Sequence, residues 1–367
     1  LEDQWKFLSS VEKVSTEKLD ALFAKLTGQK EDRIATKNGE ILITLSEYAS
    51  IPKSQMNSRL TTFLREELNF FNAEYAVKKN IGMSTYELEK YFKTVLSEGS
   101  EVLVPWGFLT HLKLYLQEQG IAFKISDRRN HLEPISIHPS FELFDHQKEA
   151  LTQFEKADCG VLVAPPGSGK TIMGLDLITK KKQPAMILVH RKQIYDQWLE
   201  RIESFLNIQK KDIGQFISNK KSVKSPITVA MVQSLARQKD WTELKNSFGL
   251  ILVDECHHMP AKMFRDVITK FNSRYLFGLT ATPKRKNNDE KLIYAYLGDI
   301  VHEVLKDYQS KTKNAQKVEI CVRETSLSLP FPAKRTDFPI LAKILVFDSE
   351  RNRLIAEDIA IEAKSGK

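Results

Sequence analysis

The chain has 367 residues, 42% hydrophobic and 28% charged, a balance that allows two or three packed cores and excludes extended disorder. Lysine and arginine number 55 against 47 aspartate and glutamate, a formal charge of +8, which suits a polyanionic partner without requiring one. No apolar run approaches the ~18 residues of a bilayer-spanning helix and no signal-peptide pattern opens the chain, so the sequence reads as having no membrane partner and a cytoplasmic place, nuclear if the source is eukaryotic.

Cys159, Cys256 and Cys321 lie far apart and form no C-x-x-C pair, which argues against a disulfide framework or a zinc site. The chain begins at Leu1 without a methionine and is expected to be a piece of a longer or processed protein.

Residues 1–135 open with charged, helical segments. "EVLVP" then predicts a strand, "FLTHLKLYLQEQG" a helix with Phe108, Leu109, Leu112, Tyr115 and Leu116 on one face, and "IAFKISD" a second strand. This predicts a small α+β accessory domain. Over residues 136–305 short apolar runs alternate with amphipathic stretches: "GVLVAP", "AMILVH", "ITVAMV", "GLILVDE" and "RYLFGLTAT". Such runs suit strands buried on both faces. Between them, "RKQIYDQWLERIESFL" places Ile194, Trp198, Ile202 and Phe205 on one helical face. The fold class is therefore α/β, a parallel sheet sandwiched by helices, with functional residues at the carboxyl ends of the strands. Residues 306–367 read as a polar linker, "KDYQSKTKNAQ", a strand-like "VEICVRETSLSLP", and the helical start of a further, truncated domain. The lysine runs at 180–182, 210–211, 219–224 and 284–286 read singly as solvated surface.

"APPGSGKT" closes the first run of the middle region, with Ala164 where a phosphate-binding loop usually has its first glycine. It follows a predicted strand and precedes a predicted helix, the context in which loop N–H groups and a helix N-terminus cradle phosphates. Pro166, Gly167, Ser168 and Gly169 would form the turn, Lys170 would reach the β- and γ-phosphates of ATP, and Thr171 would ligate Mg2+. A second acidic site is expected at the end of another buried strand, and "LILVDECHH" supplies it. Asp254 would bind the magnesium and Glu255 would orient the attacking water. Cys256, His257 and His258 are too crowded to ligate one metal together.

"APPGSGKT", "LVHRKQIYDQW", "ITVAMVQSL", "VDECHH" and "GLTATPKR" resemble, in order, motifs I, Ia, Ib/Ic, II and III of superfamily 2 helicases of the DEAD/DEAH type, and most closely the XPB-like branch. The resemblance implies a RecA-like motor domain that uses ATP and Mg2+. It implies that His190, Arg191, Gln233 and Ser234 face a nucleic-acid strand, with a helix cap as the other reading for Gln233 and Ser234, and that Thr280 and Thr282 couple nucleotide state to grip. "LFDHQKEA" is similar to the adenine-reading segment, with Gln147 able to satisfy both edges of adenine. Phe144 stands there where an arginine is common, as a stacking ring or a core residue. More faintly, "EVLVPWGF" and "IAFKISDRR" resemble the amino-terminal region of bacterial XPB-like helicases of mobile elements or conflict systems, where Trp106 is either a DNA-side residue or core. A bacterial or phage source follows from that likeness.

The expected activity is that of an ATP-dependent DNA helicase or double-strand translocase, acting on duplex DNA or single/double-strand junctions, with RNA as the other candidate. Alternatives are a motor subunit working with a nuclease or defence-system partner, and a nucleotide-switch ATPase without nucleic acid. No "QxxGRxxR"-like segment follows Pro283, so the second motor domain is expected to lie outside these residues and the piece alone to hydrolyse ATP very slowly.

Overall fold

The computed structural model describes residues 39–304 except 87, 219, 225, 259–261 and 283–289, and also 322–325 and 338–364. The expected N-terminal helical lead-in, the linker, the lysine run at 284–286 and most of the strand-like segment near 320 lie outside the described residues. By contacts the chain forms two compact units, residues 1–310 and 311–367.

The first unit opens with an α+β layer. It comprises β1 (Glu40–Leu45), β2 (Ala49–Pro52), α1 (Ser58–Leu68), β3 (Asn69–Phe71), α2 (Ala73–Asn80), β4 (Tyr91–Lys93), β5 (Leu96–Glu98), β6 (Glu101–Val104), α3 (Leu109–Glu118) and β7 (Ala122–Asp127). Five strands make one sheet in the order β5-β6-β2-β1-β7, and β3 pairs with β4 as a separate ribbon. In β1, alternation buries Ile41, Ile43 and Leu45, the period-2 pattern of a sheet with one covered face. Helix α1 presents Leu60, Leu64 and Leu68 to the core, and Asn57 caps it by accepting from the Leu60 N–H at 2.7 Å.

The α/β part follows: α4 (Asp145–Lys156), β8 (Cys159–Val163), α5 (Lys170–Lys181), β9 (Ala185–Val189), α6 (Lys192–Leu206), β10 (Gly214–Ile217), β11 (Lys220–Ser222), β12 (Ile227–Met231), α7 (Val232–Ala236), α8 (Thr242–Asn246), β13 (Leu250–Asp254), α9 (Lys262–Ile268), β14 (Tyr275–Thr280), α10 (Glu290–Leu297) and β15 (Ile300–Glu303). The sheet runs β11-β10-β12-β9-β13-β14-β8-β15, parallel throughout apart from the β10–β11 hairpin. All five predicted runs are strands. Alternate residues feed two cores: Leu162, Ile187 and Leu252 pack with α4, α5 and α6, while Val161, Leu188 and Val253 pack with α7, α9 and α10. In α6 the buried face is Tyr195, Trp198, Leu199, Ile202 and Leu206. Ile194 and Phe205, expected at its centre, flank it half-buried.

The core holding α7, α9 and α10 is continuous with that of the N-terminal layer. The seam is tight at the turn Trp106–Phe108, where a Cβ on Gly107 would stand 2.5 Å from the backbone carbonyl carbon of Tyr296. Arg129, its side chain 4% exposed, donates to Asp127 at 2.7 Å and to Asp158 at 2.9 Å. It also donates to the Arg274 carbonyl at 3.0 Å, and its guanidinium lies 4.8 Å from the Trp106 ring centre. Trp106 is therefore a core residue of this seam.

The second unit contains α11 (Phe338–Phe347) and α12 (Ser349–Lys364), helices as the sequence predicts. Residues 322–325 have no regular structure, although Arg323 donates to Asp358 at 2.8 Å.

Candidate nucleotide and nucleic-acid site

The loop after β8 begins with Ala164, fully buried, whose N–H donates to the Thr280 carbonyl at 2.9 Å. Its backbone is not among those with positive φ, so a Cβ is accommodated and the missing glycine exacts no strain. Glycine is required further on. Gly167 and Gly169 have φ of 81° and 86°, and a Cβ on Gly169 would lie 2.3 Å from Gln147 Nε2. Ser168 is buried and its hydroxyl donates to the Pro165 carbonyl at 2.7 Å, while Pro166 is exposed at the loop's tip. Lys170 and Thr171 open α5, and Lys170 Nζ donates back to the Ala164 carbonyl at 3.1 Å.

Gln147 is 2% exposed. Its Oε1 accepts from the Phe144 N–H at 3.0 Å and its Nε2 donates to the Ser168 carbonyl at 3.0 Å. Both ends of the carboxamide thus engage backbone and brace the loop, each by one bond, with a second N–H and a second lone pair remaining on the group. Phe144 is not core: it is 64% exposed, with its ring nearly parallel to that of His146.

Every residue of β13 is buried, which carries Asp254 into the interior at 8% exposure. The Trp198 indole N–H donates to Asp254 Oδ2 at 2.8 Å and the Glu255 N–H to Oδ1 at 2.9 Å. Burial pushes the Asp254 carboxyl above its usual range, against the Trp198 bond and the nearby Lys170 ammonium. Glu255 turns the chain with φ of 51°, a left-handed conformation costing about 1 kcal/mol outside glycine. His257 beside it holds its carboxyl below the usual range, helped by Lys170 and His190. His257 Nδ1 lies 3.1 Å from Glu255 Oε2 and 3.1 Å from Thr280 Oγ1. The Thr282 N–H donates to that same hydroxyl at 3.2 Å.

Since β14 lies between β8 and β13, the loop and Asp254 hang from strands about 10 Å apart. Lys170 acts electrostatically on both Asp254 and Glu255. The donor set fits a magnesium nucleotide: a glycine turn that a Cβ would fill, and hard oxygens from Thr171 and Asp254.

The residues expected to face nucleic acid sit one step along the sheet, at the ends of the adjacent strands β9 and β12. Gln233 Nε2 donates to the His190 carbonyl at 2.8 Å, joining two motifs far apart in sequence. Arg191 is exposed, whereas Ser234 is 6% exposed and presents no open hydroxyl. Burial, and then Arg191, lowers the His190 pKa. Its ring centre is 3.8 Å from that of His258, which is 4.3 Å from that of His257. A chain of imidazoles therefore runs from the strand ends to Glu255 and Thr280. Sequence reasoning missed Trp198, His257 and His258 as parts of the site. The doubled histidine after Glu255 is the one signal in the sequence for them, and the sequence alone allows it to be read as a metal cluster or a polar strand end.

Residues 140–285 match the protein family described as "Type III restriction enzyme, res subunit". The "DNA 3'-5' translocase XPB2" of Sulfurisphaera tokodaii is 31% identical over 229 residues, 58% of this chain and 50% of that protein. The "DNA 3'-5' helicase XPB" of Mycobacterium tuberculosis is 30% identical over 172 residues, 45% of this chain and 31% of that protein. Among solved structures, the UvsW helicase from bacteriophage T4 superposes with a TM-score of 0.53 at 16% identity, covering 71% of this chain and 99% of that one. That likeness concerns the fold alone. The five ordered motifs resemble those of the RecA-like motor domain of superfamily 2 helicases. Within that class the chain is similar to the XPB-like branch, and it spans between about a third and a half of the length of these two relatives. Among the described residues no helix is long and apolar enough to cross a membrane.

Proposed function

We propose that this chain carries the nucleotide-binding half of an ATP-driven nucleic-acid motor, a DNA helicase or double-strand translocase. The observation that carries the reading is the pairing of a glycine-cradled phosphate loop with Asp254 and Glu255 two strands away, under the influence of one lysine. In this reading loop N–H groups and Lys170 hold the phosphates, and Thr171 and Asp254 hold Mg2+. Bound magnesium supplies charge neutralisation on the phosphates. Glu255 orients water for attack, its ionised state favoured by His257. Phe144 offers its exposed ring to the base. Thr280 and Thr282 report the nucleotide state, while His190, Arg191 and Gln233 meet the phosphate backbone, with Ser234 held beneath them.

Residues 1–135 form an accessory domain, 136–305 the motor and 306–367 the linker and start of a second motor domain. The partner is DNA, duplex or at junctions, bound through phosphates and so without marked base preference. The description of the matching family favours a second reading, a motor subunit beside a nuclease. Copurification of a nuclease subunit with the intact protein would favour it.

The reading is tested by equilibrium binding of a fluorescent ATP analogue with Mg2+. Lys170→Ala is expected to weaken affinity at least about tenfold, whereas Glu255→Gln, which keeps shape and loop, binds within about twofold of wild type. Equal loss in both variants, or none in either, contradicts the assignment.

A further inference from the structure

A groove of about 560 Å3 lies between the α7–α8 link and α9. Its walls carry Lys239, Trp241, Lys262, Met263, Asp266 and Lys270, and no role proposed so far uses any of them. Three lysines meet one lining carboxylate. Asp266 pairs with Lys262 at 2.5 Å, whereas Lys239 and Lys270 have no carboxylate within ion-pair distance among the described residues. The nearby Asp240 is engaged locally, accepting from the Thr242 N–H at 2.9 Å. Lys221, whose Nζ donates to Gln238 Oε1 at 3.0 Å, brings a further cation to the rim. The surplus is positive, and it surrounds an apolar surface. The Trp241 indole N–H donates to the Gln238 carbonyl at 3.0 Å and its ring meets Phe271 edge to face at 5.5 Å. The plane is thereby fixed, while the residue stays half-exposed beside Met263. A fixed aromatic plane among cations is the combination by which proteins hold single-stranded nucleic acid, the bases stacking while the cations follow the phosphates.

Position favours a nucleic-acid occupant over an acidic protein segment. The groove begins where α7 ends, and α7 carries Gln233 and Ser234, followed by the exposed Arg237. We propose that this groove is a second nucleic-acid contact of the motor, extending the strand path from α7 along α9, with Lys239 and Lys270 on phosphates and Trp241 against a base. The inference rests on the motor reading above, and its test separates the two.

The probes are a 20-nucleotide oligo(dT) and a 20-base-pair duplex, titrated against the whole 367-residue chain at several salt concentrations. Lys239→Glu combined with Lys270→Glu is expected to weaken oligo(dT) binding about tenfold and to flatten the log–log salt slope by about 1.4, two single-strand phosphate contacts. Both side chains are exposed, and unchanged affinity for the ATP analogue certifies the fold. In a Trp5→Phe background, oligo(dT) is expected to quench tryptophan fluorescence, and to quench it less once Trp241→Phe is added, since the other two tryptophans, Trp106 and Trp198, are buried. Affinity, slope and quenching all unchanged in variants of a chain that binds oligo(dT) overturn the groove and leave the motor reading standing. A wild-type chain that binds neither oligonucleotide sinks the motor reading itself. Poly-glutamate that displaces oligo(dT) charge for charge overturns the nucleic-acid assignment in favour of an acidic protein segment, and its failure to compete supports the groove as proposed.

Discussion

Asp254 illustrates how a single residue is set by groups no local pattern reveals. Its carboxylate is buried, yet both oxygens have donors, the Trp198 indole and the Glu255 N–H. Removing the indole leaves a buried oxygen unsatisfied, which costs about 1–3 kcal/mol. Trp198→Phe is therefore expected to lower the urea midpoint by that equivalent while keeping the helix content. A variant as stable as wild type would mean that the bond contributes nothing. The sequence placed Trp198 on a helix face and Asp254 at a strand end, but their meeting joins positions 56 apart, beyond the reach of periodicity. Gln147 shows the converse: its chemistry allowed adenine reading, and only the geometry shows both of its ends engaged with backbone.

At the scale of elements, the long apolar runs were legible because a strand covered on both faces must be hydrophobic throughout. The strands that escaped notice are short or only half-covered. β10 and β15 have four residues each and β11 three. β1 and β2 lie where charged helical segments were expected, although the alternation in "EILITL" is itself a strand signal. The turn at Trp106–Phe108 was not read from the sequence, and nothing local says that Gly107 is where α10 must approach. Gly107→Ala would force a methyl to 2.5 Å from the Tyr296 backbone, which flexible side chains cannot relieve. The expected loss is about 3 kcal/mol, read as a fall in thermal midpoint. An unchanged midpoint would mean that α10 is not seated on this turn.

Across the whole molecule, the first unit is held together at a seam centred on Arg129. The Arg129 hydrogen bond holds the Asp127 carboxyl below its usual range, more than offsetting its partial burial. A folded pKa below the ordinary ~3.9 means that this stabilisation is fully present above that value and fades as pH falls through the folded pKa. Stability of wild type is thus expected to drop below pH ~4 by more than that of Arg129→Ala, compared by urea midpoints along the acid limb. Parallel decline of the two would show that the Asp127–Arg129 pair contributes no pH-dependent stability. The Arg129 bonds to Asp158 and to the Arg274 carbonyl join positions 29 and 145 residues apart, beyond what any local pattern could foresee.

In the function proposed above, residues 1–367 supply the phosphate loop, the magnesium carboxylate and the water-orienting glutamate of a motor, and an arginine from a second motor domain is proposed to complete the site. An arginine finger is worth about 10³–10⁵ in rate. Single-turnover ATP hydrolysis by this chain and by a chain extended through that domain, each with and without duplex DNA, tests the claim directly. Tight nucleotide binding, very slow hydrolysis and little DNA stimulation are expected for residues 1–367, with rate and stimulation recovered in the extended chain. Robust DNA-stimulated turnover by residues 1–367 alone would contradict it.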